Sequence, residues 1–346
     1  MTRLITVLFF LFFATKLLAA PVPNLYQAQV AVASQSEADR SRVAPEALKQ
    51  VIVKIVGNRK TVNDADITAL LADADRYVEQ YSYQQTNEDA DLTTPEELAV
   101  TFIFDEQRID NALQAIGLPT WSENRPEILL WLATDIGGQQ RLIGDNDDKS
   151  LTDSIHNISE KRGLPVNMPV MDLQDLTQIS FSDIWTNNNE TVKAASERYG
   201  AKIIVSAQLR GSDSQAGISW QALMNNDVER WQSEGDVTQS LTQGLHQLAD
   251  ILGQRFAQKM GEAQQLSIQI TNVKNYQDYS RLLAYFNNMQ AVDSVKVVNM
   301  RNEVLTLDIG LSGDETKFRE LLAFDGQLES QDSPADSQVE QFRFVP

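Results

Sequence analysis

Ile128-Leu-Leu-Trp-Leu-Ala133 is an unbroken apolar run near the middle of the chain. A strand with one wet face alternates apolar and polar residues. A continuous run marks a strand covered on both faces, as in an α/β sheet flanked by helices on two sides. The flanking sequence, 125–264, supplies those helices. Ser150 to Arg162 reads as a helix stopped by Gly163, and Asn189 to Tyr199 as one stopped by Gly200. Lys202 to Leu209 is a second buried strand. Gly137 to Asp148 is a turn-rich excursion with room for one short strand, and Pro165 to Met171 is extended. Ile218, Trp220, Ala222 and Met224 alternate, Asn225-Asn226-Asp227 turns, and the next strand carries Trp231. A long helix follows, with Val237, Leu241, Leu245, Leu248, Leu252 and Phe256 on one face. The pattern predicts a mixed sheet with helices on both faces.

Two smaller segments flank this one. In 21–121, Tyr26 to Val32 alternates as a strand, and Ala44, Ala47, Leu48, Val51, Ile52 and Ile55 recur at helical spacing up to Gly57. Pro45 suits a first turn better than a helix interior, so any helix before it is expected to be kinked or separate. Ile67, Leu70 and Leu71 suggest a short helix. Tyr77, Tyr81 and Tyr83 share a strand face, Gln84 to Glu97 reads as a hairpin loop, Leu98 to Phe104 as a strand and Gln107 to Ile116 as a helix. In 265–329, the order strand, helix, strand, strand, helix is close to a split βαβ sandwich. Residues 330–346 read as a polar, acidic tail, disordered except where Phe342, Phe344 and Val345 dock. The predicted fold class is α/β and α+β: three small mixed α/β domains in series.

The first twenty residues give an address. Met1-Thr-Arg, an apolar run from Leu4 to Ala14 and a small-residue end at Ala19-Ala20 make a secretory signal, either cut after Ala20 or kept as a tether. The chain has no cysteine, which excludes disulfides, thiol chemistry, cysteine-bound metals and a lipoprotein anchor. Export without disulfides suits the periplasm of a Gram-negative bacterium. A formal net charge of -19 makes a poor nucleic-acid or anionic-membrane binder and keeps the chain soluble.

No catalytic constellation stands out. The two histidines, His156 and His246, lie four residues before Glu160 and Asp250, as helix-surface neighbours do. There is no zinc-binding His-Glu-x-x-His and no nucleophile elbow. Asp145-Asn146-Asp147-Asp148 begins like a calcium loop, but Lys149, Ser150 and His156 stand where an oxygen ligand, the turn glycine and the bidentate glutamate belong. No catalytic, cofactor-binding or metal-binding residue is assigned. Trp131, Trp220 and Trp231 fall on strands and are expected in the core. Trp121 and Trp185 sit near element ends and are the better candidates for a surface contact.

Two stretches carry a resemblance. They are Tyr26-Gln-Ala-Gln-Val-Ala-Val32 with the helix from Arg42 to Gly57, and Trp220-Gln-Ala-Leu223 with Trp231 and the helix through Leu245-His-Gln-Leu-Ala-Asp-Ile-Leu252. With the signal, they resemble an uncharacterised family of exported gammaproteobacterial proteins, a domain of unknown function. In architecture the first segment is similar to the first small domain of the flagellar ring protein FlgT. The second resembles the amino-terminal domain of TolB, and the third resembles partner-forming domains of secretion systems. The resemblance implies an envelope protein that contacts other envelope proteins, with no cofactor. The alternative is a hydrolase or binding protein for a cell-wall glycan. Fold likeness transfers no residue role.

Overall fold

The computed structural model describes residues 22–86, 97–212, 214–225, 227–259, 264–287, 289, 291–311, 315–331 and 339–345. The signal segment and most of the Gln84–Glu97 loop lie outside the described residues. The protein is mixed α/β, built on three sheets as several small α+β units.

The first sheet is antiparallel, with β1 (Gln27–Ala31) and β2 (Val78–Thr86) on either side of β3 (Glu97–Phe104). Between β1 and β2 run α1 (Glu37–Val56), α2 (Arg59–Asp64) and α3 (Thr68–Ala72), and α4 (Glu106–Ala115) follows β3. Helix α1 starts where the Ser36 side chain accepts the Asp39 N–H, and ends at Gly57, which adopts a φ of 76°. Its apolar stripe, Ala44 to Ile55, is buried against the sheet's Val100 and Phe102. The helix before Pro45 is not separate: α1 runs through it as one element. The ring forfeits one backbone bond, and the capped first turns together with the buried stripe on the far side outweigh that loss.

The middle sheet has the order β5 (Gln139–Ile143), β4 (Ile128–Ile136), β7 (Ile203–Ser212), β8 (Gln215–Met224), β9 (Asp227–Gly235), with β6 (Val166–Asn167) also pairing with β4. β4 lies parallel to β6 and β7; the remaining pairs are antiparallel. α5 (Lys149–Arg162) and α9 (Val237–Phe256) bury Ile128, Leu130 and Leu132 of β4. On the other face α7 (Phe181–Trp185) and α8 (Asn189–Ser196) cover Leu129, Trp131 and Ala133, and α6 (Leu173–Gln178) packs against α8. Both faces of the apolar run are thus covered, and each fully buried large side chain contributes roughly 1.5–3 kcal/mol. Gly244 of α9 lets the Trp220 indole lie against the helix: a Cβ there would sit 2.1 Å from the ring.

The third sheet has five strands in the order β11 (Val292–Arg301), β12 (Val304–Leu311), β10 (Gln264–Thr271), β14 (Val339–Phe344), β13 (Leu328–Gln331). α10 (Tyr276–Asn287) and α11 (Glu315–Asp325) complete its core. Here the reading of a disordered tail is corrected for 339–344, while the docking of Phe342 and Phe344 holds: β14 pairs parallel to β10 and antiparallel to β13 with both rings buried, and Val345 stays exposed.

Candidate interaction surface

A group of charged side chains lies where the first and middle cores meet. Gly57 and Gly253 touch backbone to backbone: a Cβ on Gly253 would sit 2.4 Å from the Gly57 carbonyl carbon. Around that contact, Arg59 donates to the Asp250 carboxylate through its backbone N at 2.9 Å, Nε at 2.9 Å and Nη2 at 2.6 Å. Arg162 donates to the same carboxylate at 2.8 Å and to the Gly57 carbonyl at 2.7 Å. Arg125 is fully buried and donates to the carbonyls of Lys54 at 2.6 Å and Gly163 at 2.8 Å, with its guanidinium over the Trp121 ring.

Electrostatics makes this group a lock. Burial alone would raise the Asp250 carboxyl, but hydrogen bonds from Arg59 and Arg162 outweigh it and hold it below its ordinary value. Burial, then the positive charge of Arg162, pulls the His246 imidazole down to about 4, so it is neutral at pH 7. Burial also pulls the Lys54 ammonium down to about 8. The carboxylate is saturated by guanidinium groups and does not orient the imidazole as a general base requires. The helix pairing expected for His246 and Asp250 gives way to partners from α2 and α5. His156 likewise meets Asp145 at 2.8 Å rather than Glu160.

A second group shapes the loop around α6. Asp175 is fully buried, accepting from Met171 N at 3.0 Å, the Tyr199 hydroxyl at 2.5 Å and Arg198 at 3.0 Å. Arg198 also grips Asp172 with two bonds, at 2.7 and 2.8 Å, and Asp172 caps α6. The Tyr199 oxygen accepts from Val170 N at 3.0 Å. Arg198 holds the Asp172 carboxyl far below its ordinary value. Desolvation, then the bond to Asp175, raises the Tyr199 phenol to about 12. Met171 is held at a φ of 57°. This fixed loop turns three aliphatic side chains outward: Val170, Leu173 and Leu176 are 58 %, 78 % and 60 % exposed. Covering such side chains fully would contribute roughly 1.5–3 kcal/mol each, and the clasp keeps them in water.

A third feature is the outer edge of the third sheet. Among the described residues β11 pairs on one side only, with β12, and leaves Val297, Val298 and Met300 exposed. Register shifts near Val292 and Val297 interrupt its ladder, as in edge strands that resist indiscriminate pairing.

The remaining candidates fall as follows. Trp131 and Trp220 are buried as expected. Trp121 is corrected: it is 3 % exposed and stacks on Phe256 with ring centres 5.7 Å apart. Trp185 is half-buried, stacked on Phe181 with Arg210 over its ring. Tyr81 is exposed beneath the Arg40 guanidinium. In the calcium-like loop, Asp147 accepts from Gly144 N, and Asp148 caps α5. Among the described residues no group of three or more His, Asp or Glu is placed to hold a metal ion, and no helix is long and apolar enough to cross a membrane.

Residues 19–122 match a family model described as a domain of unknown function, DUF8605. No curated protein matches the chain. Among solved structures it is similar to the "LpoB C-terminal domain from Salmonella enterica", with 14 % identity and a TM-score of 0.23, over 37 % of this chain and 91 % of that one.

Proposed function

We propose that this is a non-enzymatic adaptor or assembly factor of the bacterial cell envelope, working in the periplasm by protein–protein contact. The observation that carries the reading is the clasped α6 loop. Its buried carboxylate, arginine and tyrosine hold one loop shape, and that shape presents Val170, Leu173 and Leu176 to solvent. An aliphatic anchor that needs no reordering on docking is how a small hot spot gains affinity. The address rests on the signal-like first twenty residues.

The test is a photo-crosslinking residue at Leu173 in living cells, with an exposed position on α9, Gln243, as the control. One or two stoichiometric envelope proteins captured from Leu173 and absent from Gln243 is the expected result. Leu173→Asp is expected to remove the capture while changing stability by no more than about 0.5 kcal/mol, as for an exposed site. Equal capture from both positions would overturn the reading. So would turnover of an envelope polymer that a single carboxylate change abolishes.

A further inference from the structure

The face of the middle sheet that carries α6 to α8 changes character across its width. Under the helices it is apolar. Over β8 and β9 it opens to solvent, and the register lays polar side chains in rows. Ser206, Gln221 and Arg230 form one row, and Gln208, Ser219 and Gln232 the next. A groove of about 400 Å³ lies among Asn187, Gln208, Ser219, Gln221, Arg230 and Gln232. That volume is within the range of small-ligand sites, roughly 300–1,000 Å³.

The floor of the groove is built. Gln221 is 3 % exposed and Gln208 5 %. The Gln221 amide donates to Asn189 Oδ1 at 2.6 Å and accepts from Arg230 Nε at 2.9 Å. The Gln208 amide donates to the Ile184 carbonyl at 2.9 Å and Asn187 Oδ1 at 3.1 Å, and accepts from Arg210 at 3.4 Å. Both amides therefore have one orientation. The buried Ser206 hydroxyl, in the row of Gln221 and Arg230, has no hydrogen-bond partner among the described residues.

Arg230 sets the ligand's charge. The chain carries 48 acidic residues, yet among the described residues Arg230 bonds an amide and no carboxylate. It uses Nε for that bond, which leaves its two terminal amino groups side by side, the fork that grips a carboxylate bidentately. Gln232, Ser219 and Asn187 offer donors and acceptors in pairs, as hydroxyl groups require. The aromatic residues that line the groove, Trp220 and Trp231, stack on each other with ring centres 5.9 Å apart and pack into the core under α9, so among the described residues they offer no free face for a sugar ring.

We infer that this groove binds a small carboxylate-bearing polyol, the chemistry of an acidic sugar, with the carboxylate on Arg230 and hydroxyls on the amides. Binding by hydrogen bonds without ring stacking points to millimolar affinity for one sugar unit. The site is separate from the α6 loop and stands or falls independently of the adaptor reading.

The test is a titration of the full chain with sodium glucuronate at constant ionic strength, followed through the side-chain amide NMR signals of Gln208, Gln221 and Gln232. Glucose and acetate serve as comparison probes. Saturable shifts with glucuronate are expected, at least tenfold weaker with either comparison probe. Arg230→Gln is expected to weaken glucuronate at least tenfold, and Arg255→Gln, which alters an exposed ion pair with Asp227, to leave it unchanged. If Arg230→Gln fails to fold, Gln232→Leu at the exposed rim replaces it, with a loss of about fivefold expected. The inference is overturned by shifts that do not saturate, by equal response to glucose or to acetate, or by variants that bind as the parent does.

Discussion

The first and middle cores are joined by charge, and the middle and third cores by an aromatic plug. At the first junction, Asp250 is held between Arg59 and Arg162 over a backbone contact at Gly57 and Gly253. At the second, Phe324 of α11 enters the middle core, with ring centres 4.9 Å from Phe256, and its carbonyl accepts from Asn225 at 3.4 Å. Apolar contact is non-directional, so the plug gives adhesion with little orientation. A buried carboxylate between two guanidinium groups adds little net stability, yet it tolerates one arrangement only. The first junction fixes geometry and the second fixes attachment.

The largest expected effect follows from breaking the lock. Asp250→Ala leaves the buried Arg162 without its counter-charge and should cost about 4 kcal/mol. Urea unfolding should show the first core melting apart from the middle one. A single unchanged transition would erase the distinction between the junctions. Phe324→Ala should cost about 3 kcal/mol, confined to the third unit. The measurement is limited proteolysis, with cleavage expected within the third unit while the first two cores stay intact. Gly253→Ala drives a methyl group into the Gly57 backbone and should cost about 2 kcal/mol, read from the same urea curves. Gly326→Ala, near the second junction, has nothing within 4 Å of the added Cβ, so only the strain of its positive φ is expected.

The smallest effect sharpens the comparison through pH. His246 titrates near 4 in the folded protein, below its ordinary value of 6.5, so the unfolded chain binds the extra proton. Its contribution is complete above about pH 6.5 and is lost as the pH falls toward 4. The imidazole is partly exposed, so about 1 kcal/mol is expected, against the roughly 3 that the full shift would give. The Asp250 carboxyl is held low, so its contribution is lost at lower pH still. His246→Gln should flatten the stability profile between pH 6.5 and 4. Phe324→Ala should leave that slope unchanged, because the second junction lacks such a group among the described residues.

Much of the fold was legible in local pattern. The run from Ile128, the stripe from Ala44 to Ile55 and the stripe of α9 each carry their pattern in the sequence, and Gly137 and Gly57 mark the ends of the first two. The helices α2, α6 and α7 are too short to show a period. The Trp121 side chain looked available because its partner, Phe256, lies far along the chain. The same distance hid Arg59 and Arg162 from Asp250: spacing within one helix suggested His246, and tertiary packing supplied the guanidinium groups. Phe342 and Phe344 stood out as docking residues, but the pairing of β14 with β10 joins strands about seventy residues apart and leaves no local pattern. The groove of the middle sheet was hidden because its amides come from three strands and a loop. The exposure of Val170, Leu173 and Leu176 follows from a clasp whose arginine and tyrosine come after α8.

The place of β14 bears on how the chain matures. In a growing polypeptide β10 is made early, and its edge stays open until residues 339–344 follow: Ser267 waits for Val339. β13 joins the sheet through β14 alone. Until then the third unit has an open edge on β10 and an unpaired β13, the state in which chains stick to one another or are captured by a chaperone. The hazardous interval for the third unit is therefore the time between the making of β10 and the making of β14, and a premature stop just before Val339 would make that interval permanent.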